Sequence, residues 1–168
     1  MSGKTTFKFK INQNAHPDLV RYWKHTDCGR SESQRGRTIR GVQKQERNDC
    51  TVRALAVACG VSYDEAHAFC ESTLGRNRYS GCHLPEYLRK AANKGLPVLG
   101  RKVVRVACQA VKGQPRMDIY KLLSSGVLKG KRAIIQEAGH VYAIVDGIGH
   151  DTAMPYEGRC VYGYWLVD

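Results

Sequence analysis

Apolar positions along the 168-residue chain follow a helical period in its middle and a strand-like pattern toward its end. The run from Val52 to Cys59 is small, apolar and helix-forming, and Gly60 supplies a C-cap. Asn48-Asp49 reads as a turn, so Cys50 falls in the first turn of a buried helix. Ser62 and Glu65 form a capping box that predicts a second helix to about Leu74, closed by Gly75. Its inner face would carry Ala66, Phe69, Cys70 and Thr73, with His67 at the surface. Leu84 to Lys94 has Pro85 in its first turn and Gly95 past its end, which predicts a third helix.

Strand patterns follow. Lys102 to Ala107, Arg132 to Gln136, Val141 to Val145 and Cys160 to Val167 read as strands, and a short helix from Asp118 to Ser125 lies among them. Asp146-Gly147-Ile148-Gly149 predicts a tight hairpin turn, after which His150-Asp151-Thr152 begins the returning strand. Helices first and strands afterwards imply an α+β domain, with N-terminal helices packed on a C-terminal antiparallel sheet.

Two of these elements bring chemistry together. Cys50 opens a helix, where unpaired N–H groups and the positive end of the helix dipole favour a thiolate. The plain alternative is a small buried hydrophobe, the usual role of a free cysteine. His140 follows Gly139 at the mouth of a strand, and Asp151 lies on the neighbouring antiparallel strand, within side-chain reach. Cys50 then has a base in His140, and Asp151 would hold the imidazole in its tautomer and orientation. Asp146 competes for that third role, but its Asp-Gly setting marks a turn former. The backbone N–H of Cys50 is placed to receive an oxyanion.

Asp49-Cys50 before an Ala/Leu helix, then Gly139-His140, a hydrophobic strand, a turn and Asp151, resembles the papain-like cysteine peptidases. The likeness is to the bacteriocin-processing, double-glycine leader type and to small uncharacterised phage proteins of that pattern. It covers roughly Gln43 to Asp168, and separates a basic segment, residues 1–47, from a peptidase-type domain, residues 48–168. The resemblance implies a papain-like fold and a thiol hydrolase that cleaves a peptide or isopeptide bond in a peptide or protein substrate. It implies Cys50, His140 and Asp151 as catalytic residues. The family's oxyanion glutamine precedes the cysteine by a few residues, which implies Gln45, with Gln43 next. The family usually has glycine directly after the cysteine, where this chain has Thr51.

Charge adds a second theme. The formal net charge is +12. Residues 1–47 hold 11 Lys and Arg against 4 Asp and Glu, so the excess is densest there. Phe7 to Ile11 alternates like a strand, His16 to Lys24 reads as a short helix, and Gly29 to Gly41 as an exposed basic loop. Basic residues beside Tyr22 and Trp23 suit nucleic acid, and equally suit a solvated surface. The first residues lack the apolar core of a secretory signal, and no apolar run reaches membrane-span length. A cytoplasmic protein with no membrane partner is expected, in a host's cytoplasm if the chain is viral. Seven cysteines without an export signal predict reduced thiols, with Cys59, Cys70 and Cys108 as packing residues. His25-Thr26-Asp27-Cys28 and Cys82-His83 carry ligand types but no Cys-x-x-Cys knuckle, so no metal or cofactor is expected. Three other readings stand beside the hydrolase. They are a non-catalytic papain-like binding module, a basic nucleic-acid-binding protein, and a transferase using the same thioacyl chemistry.

Overall fold

A computed structural model describes residues 14–31, 34, 48–77 and 80–168. A 3₁₀ helix, Pro17–Tyr22, leads into strand β1, Trp23–His25. Three helices follow: α1, Cys50–Cys59; α2, Tyr63–Leu74; and α3, Leu84–Lys94. Strand β2, Val103–Ala107, and the short helix α4, Ile119–Ser124, precede β3, Arg132–Glu137, and β4, His140–Val145. The chain ends with β5, Ile148–Asp151, and β6, Gly163–Val167. The fold is α+β, with one six-stranded sheet in the order β1-β5-β4-β3-β6-β2.

Local chemistry sets the helix bounds. Gly60, Gly75 and Gly95 end α1, α2 and α3 in the left-handed region, where glycine carries no Cβ penalty. The Ser62 hydroxyl accepts from Glu65 N while the Glu65 carboxylate accepts from Ser62 N, so the capping box is complete. Asp118 caps α4 by accepting from Lys121 N.

Both faces of the sheet are covered. Ile134, Val141, Ala143 and Trp165 pack with α1, α2 and α3 on one face. Ala133, Ile135, Tyr142 and Ile144 pack with Leu19, Trp23 and α4 on the other. Alternate residues of β3 and β4 are thus buried on opposite sides. That is why these strands read as unbroken apolar runs rather than alternating ones.

The structure corrects the expected order in two ways. The helices are not all N-terminal, since α4 lies between β2 and β3 and β1 precedes α1. The sheet is mostly antiparallel, but β1 pairs with β5 in parallel, Trp23 opposite Gly149 and His25 opposite Asp151. Gly149 makes this docking possible: a Cβ there would lie 2.2 Å from Cε3 of the Trp23 ring. Part of the basic segment therefore belongs to the core, with Leu19, Trp23 and Cys28 buried.

Smaller differences follow from packing. On α2 the buried face is Tyr63, Ala66 and Cys70, and Thr73 is exposed. His67 is half-buried, 3.1 Å from Arg76 Nη1, rather than a free surface histidine. Arg30 is not a solvated loop cation: its guanidinium reaches Asp27 at 3.0 Å and Asp49 at 3.4 Å. The expected strand Phe7 to Ile11 and residues 35–41 of the basic loop lie outside the described residues. Among the described residues no helix is long and apolar enough to cross a membrane.

Candidate functional site

Cys50 is the first residue of α1, half-buried, with Asp49 at the N-cap position. The Asp49 carboxylate does not cap the helix, because other groups hold it. Arg53 Nε donates to Oδ1 at 3.0 Å, and the Tyr63 hydroxyl donates to Oδ2 at 2.9 Å. Asp49 is 3% exposed, so these partners are what allow a charge there at all.

His140 opens β4. The β4–β5 register pairs Ala143 with His150 and Val145 with Ile148. Extended by one step, it sets Asp151 beside Tyr142, diagonal to His140 on the same face of the sheet. The side chains meet: His140 Nε2 lies 2.6 Å from Asp151 Oδ2. The second Asp151 oxygen accepts from Arg53 Nη1 and from Thr152 N, the latter at 2.7 Å. One buried carboxylate thus joins the imidazole to helix α1.

Burial, then the Arg53 and Arg159 guanidiniums, pull the His140 imidazole from 6.5 down to about 4, with Asp49 acting the other way. Asp151 already shares its charge with Arg53, so the close carboxylate does not outweigh that burial. The ring is neutral near pH 7. With Nε2–H donated to Asp151, Nδ1 is left as the acceptor.

A cleft of about 920 Å³ runs over this end of the sheet. Cys50, Thr51, Arg53, Cys82, His83 and His140 are among the residues that line it. A smaller cavity, about 210 Å³, lies beyond the imidazole and is lined by His140, Asp151, Tyr142, Glu137 and Arg159. His140 and Glu137 border both spaces. Glu137 accepts from the Tyr142 hydroxyl at 2.7 Å. Its other oxygen lies 3.1 Å from Arg159 Nε, near enough for charge pairing but out of line for a hydrogen bond. Cys50 and His140 share the larger cleft, and among the described residues no hydrogen bond joins them. Sites without substrate often keep such pairs apart.

The other predicted residues fall as follows. Gln45 and Gln43 lie outside the described residues. Asp146 and Gly147 both have positive φ, 52° and 74°, forming the two-residue turn that matches strand twist. Asp146 accepts from Gly130 N at 2.6 Å, at the far end of β4 from His140.

Asp49 and Arg53 were given no site role from the sequence, and Cys82 was weighed there only as a metal-ligand type. Asp49 and Arg53 are spaced i, i+4, a readable ion-pair signal inside an otherwise apolar helix. Cys82 stands just before a helix with Pro at its start, the same kind of position that drew attention to Cys50. The neighbouring Cys70 thiol first, then Thr51, Arg76 and His83, pull Cys82 down to about 6 against its partial burial. Burial instead pushes Cys28 and Cys59 up to about 11, as expected of packing thiols. Among the described residues no group of His, Cys, Asp and Glu could hold a metal ion.

No family model matches the chain, and no curated protein or solved structure does either.

Proposed function

We propose that the chain is a papain-like thiol hydrolase that cleaves a peptide or isopeptide bond, with Cys50 as nucleophile, His140 as base and Asp151 as orienting carboxylate. The observation that carries this reading is the 2.6 Å bond between His140 and Asp151 at the rim of the cleft onto which Cys50 opens. In the first step the neutral imidazole takes the Cys50 proton at Nδ1 as the sulfur attacks the substrate carbonyl. Asp151 steadies the imidazolium through Nε2–H. The oxyanion faces the first-turn N–H groups of α1, and the resemblance implies Gln45, with Gln43 next, as its side-chain donor. The imidazolium returns its proton to the leaving amine, leaving a thioester. Water activated by His140 then releases the acid and restores the thiol.

Thr51, where the family has glycine, is buried in the cleft wall, and its side chain is one of the groups that lower the Cys82 thiol. A non-catalytic binding module is favoured by one observation, the missing hydrogen bond between Cys50 and His140 among the described residues. Turnover of a fluorogenic peptide library separates the two readings. The hydrolase reading expects cleavage that Cys50→Ala abolishes while circular dichroism stays unchanged. Cleavage that survives Cys50→Ala contradicts it.

A further inference from the structure

The N-terminal segment reaches the site at two points. Asp27-Cys28-Gly29-Arg30 is a tight turn, closed by Arg30 N donating to Asp27 O at 3.1 Å, with Cys28 and Gly29 at positive φ, 54° and 85°. Arg30 Nη2 also donates to the Asp27 carboxylate at 3.0 Å, so the turn holds its own guanidinium. Arg30 Nη1 then donates to Oδ2 of Asp49, directly before Cys50, at 3.4 Å. The second point lies on β5. His25 pairs with Asp151, and Thr26 N donates to the Asp151 carbonyl at 3.0 Å. Residues 25–30 therefore tie the start of α1 to the strand whose carboxylate holds His140.

A chain of charges joins the two points. It runs from Asp27 through Arg30, Asp49, Arg53 and Asp151 to the His140 imidazole. The side chains of Arg30, Asp49, Arg53 and Asp151 are at most 11% exposed, so solvent screens them little. The chain sets three carboxylates against two guanidiniums, and an imidazolium at its end supplies the third cation.

We infer that Arg30 is a positioning residue of the site: it neutralises Asp49, so that Arg53 stays on Asp151 and Asp151 stays on His140. Without Arg30, among the described residues, Asp49 keeps the Tyr63 hydroxyl and draws its cation from Arg53 alone. Arg53 then serves two buried carboxylates by itself, and more of the Asp151 charge falls on the imidazole. The inference rests on the reading of His140 as the base, and it makes the N-terminal segment part of that site. The groups that face the ring are Asp151 on β5, Arg53 and Asp49 on α1, Arg159 before β6, and Glu137 across the β3–β4 hairpin. All of them remain in the Arg30 variants.

The test reads the ring itself and needs no turnover. The His140 midpoint is titrated by NMR in the full chain and in Arg30→Met. Loss of Arg30 should raise the midpoint by about half a unit or more. Arg30→Lys keeps the charge and should return most of that shift. Arg21→Met breaks an exposed pair with Asp18 on the same segment and should leave the midpoint in place. If Arg30→Met does not fold, Arg30→Gln takes its place with the same expected shift. An unmoved midpoint in a folded Arg30 variant, whatever its loss of stability, overturns the inference. So does an equal shift in Arg21→Met. A shift in a chain that cleaves no peptide supports the role of Arg30 and contradicts the hydrolase reading alone.

Discussion

Arg53, one turn into the helix that opens at Cys50, donates from Nη1 to Asp151, the carboxylate that holds His140. The two residues are 98 apart in the chain, and both are nearly buried. The same guanidinium donates from Nε to Asp49, directly before Cys50. One side chain therefore fixes the helix end that carries the thiol relative to the strands that carry the imidazole.

Removing Arg53 should be costly. Arg53→Met leaves two buried carboxylates without their main cation, a loss of about 3–5 kcal/mol expected for a broken buried pair. Urea denaturation followed by circular dichroism measures it. Adding Asp49→Asn should return part of the loss, because one of the stranded charges is then gone. A drop below about 1 kcal/mol in the single variant would mean that the network contributes little.

His140 supplies a pH signature. Its folded-state value lies below 6.5, at about 4, chiefly through burial and the two nearby guanidiniums. The fold thus prefers the neutral ring. Stability contributed by this group is present above pH 6.5 and is lost as pH falls from 6.5 toward about 4, where the unfolded chain binds the proton more readily. A base that must be neutral stays competent over the same window. Titration of the His140 ring by NMR should show its midpoint near 4, and Arg159→Ala should raise it. A midpoint at or above 6.5 contradicts this account of the site.

Much of the scaffold was legible because local rules and packing agreed. Gly60, Gly75 and Gly95 end three helices where the sequence predicts, and the Ser62–Glu65 capping box formed as expected. The parallel docking of β1 was not legible. It depends on Trp23 lying over Gly149, far apart in sequence, with no periodic pattern to announce it. His140 beside Asp151 was legible because both residues flank one hairpin. Arg53 beside Asp151 was not, since a helix packed across a sheet leaves no spacing rule between them. Cys82 was weighed only with His83 as a metal-ligand type and set aside, and its place just before the helix that opens at Leu84 was not read for its effect on the thiol.

The Trp23–Gly149 contact gives a packing prediction. Gly149→Ala drives a methyl into the indole, with the built Cβ only 2.2 Å from Cε3, and should cost about 1–3 kcal/mol. Trp23 fluorescence should shift to the red as the ring is expelled. In a Trp23→Ala background the same change should cost almost nothing. An equal cost in both backgrounds would show that the indole is not what excludes a side chain at position 149.

The central claim is that His140 activates Cys50, and the most direct measurement is site-resolved alkylation near neutral pH. Reduced wild-type chain and His140→Ala are treated with iodoacetamide, and the rate at each cysteine is read by mass spectrometry. Cys50 should react faster than the packing thiols Cys28 and Cys59, whose values burial raises to about 11. His140→Ala should slow Cys50 by about tenfold or more. Cys82, lowered to about 6 by neighbours that do not include His140, should keep its rate in both chains. A Cys50 rate that His140→Ala leaves unchanged, or that never exceeds the rate at Cys28, contradicts the account.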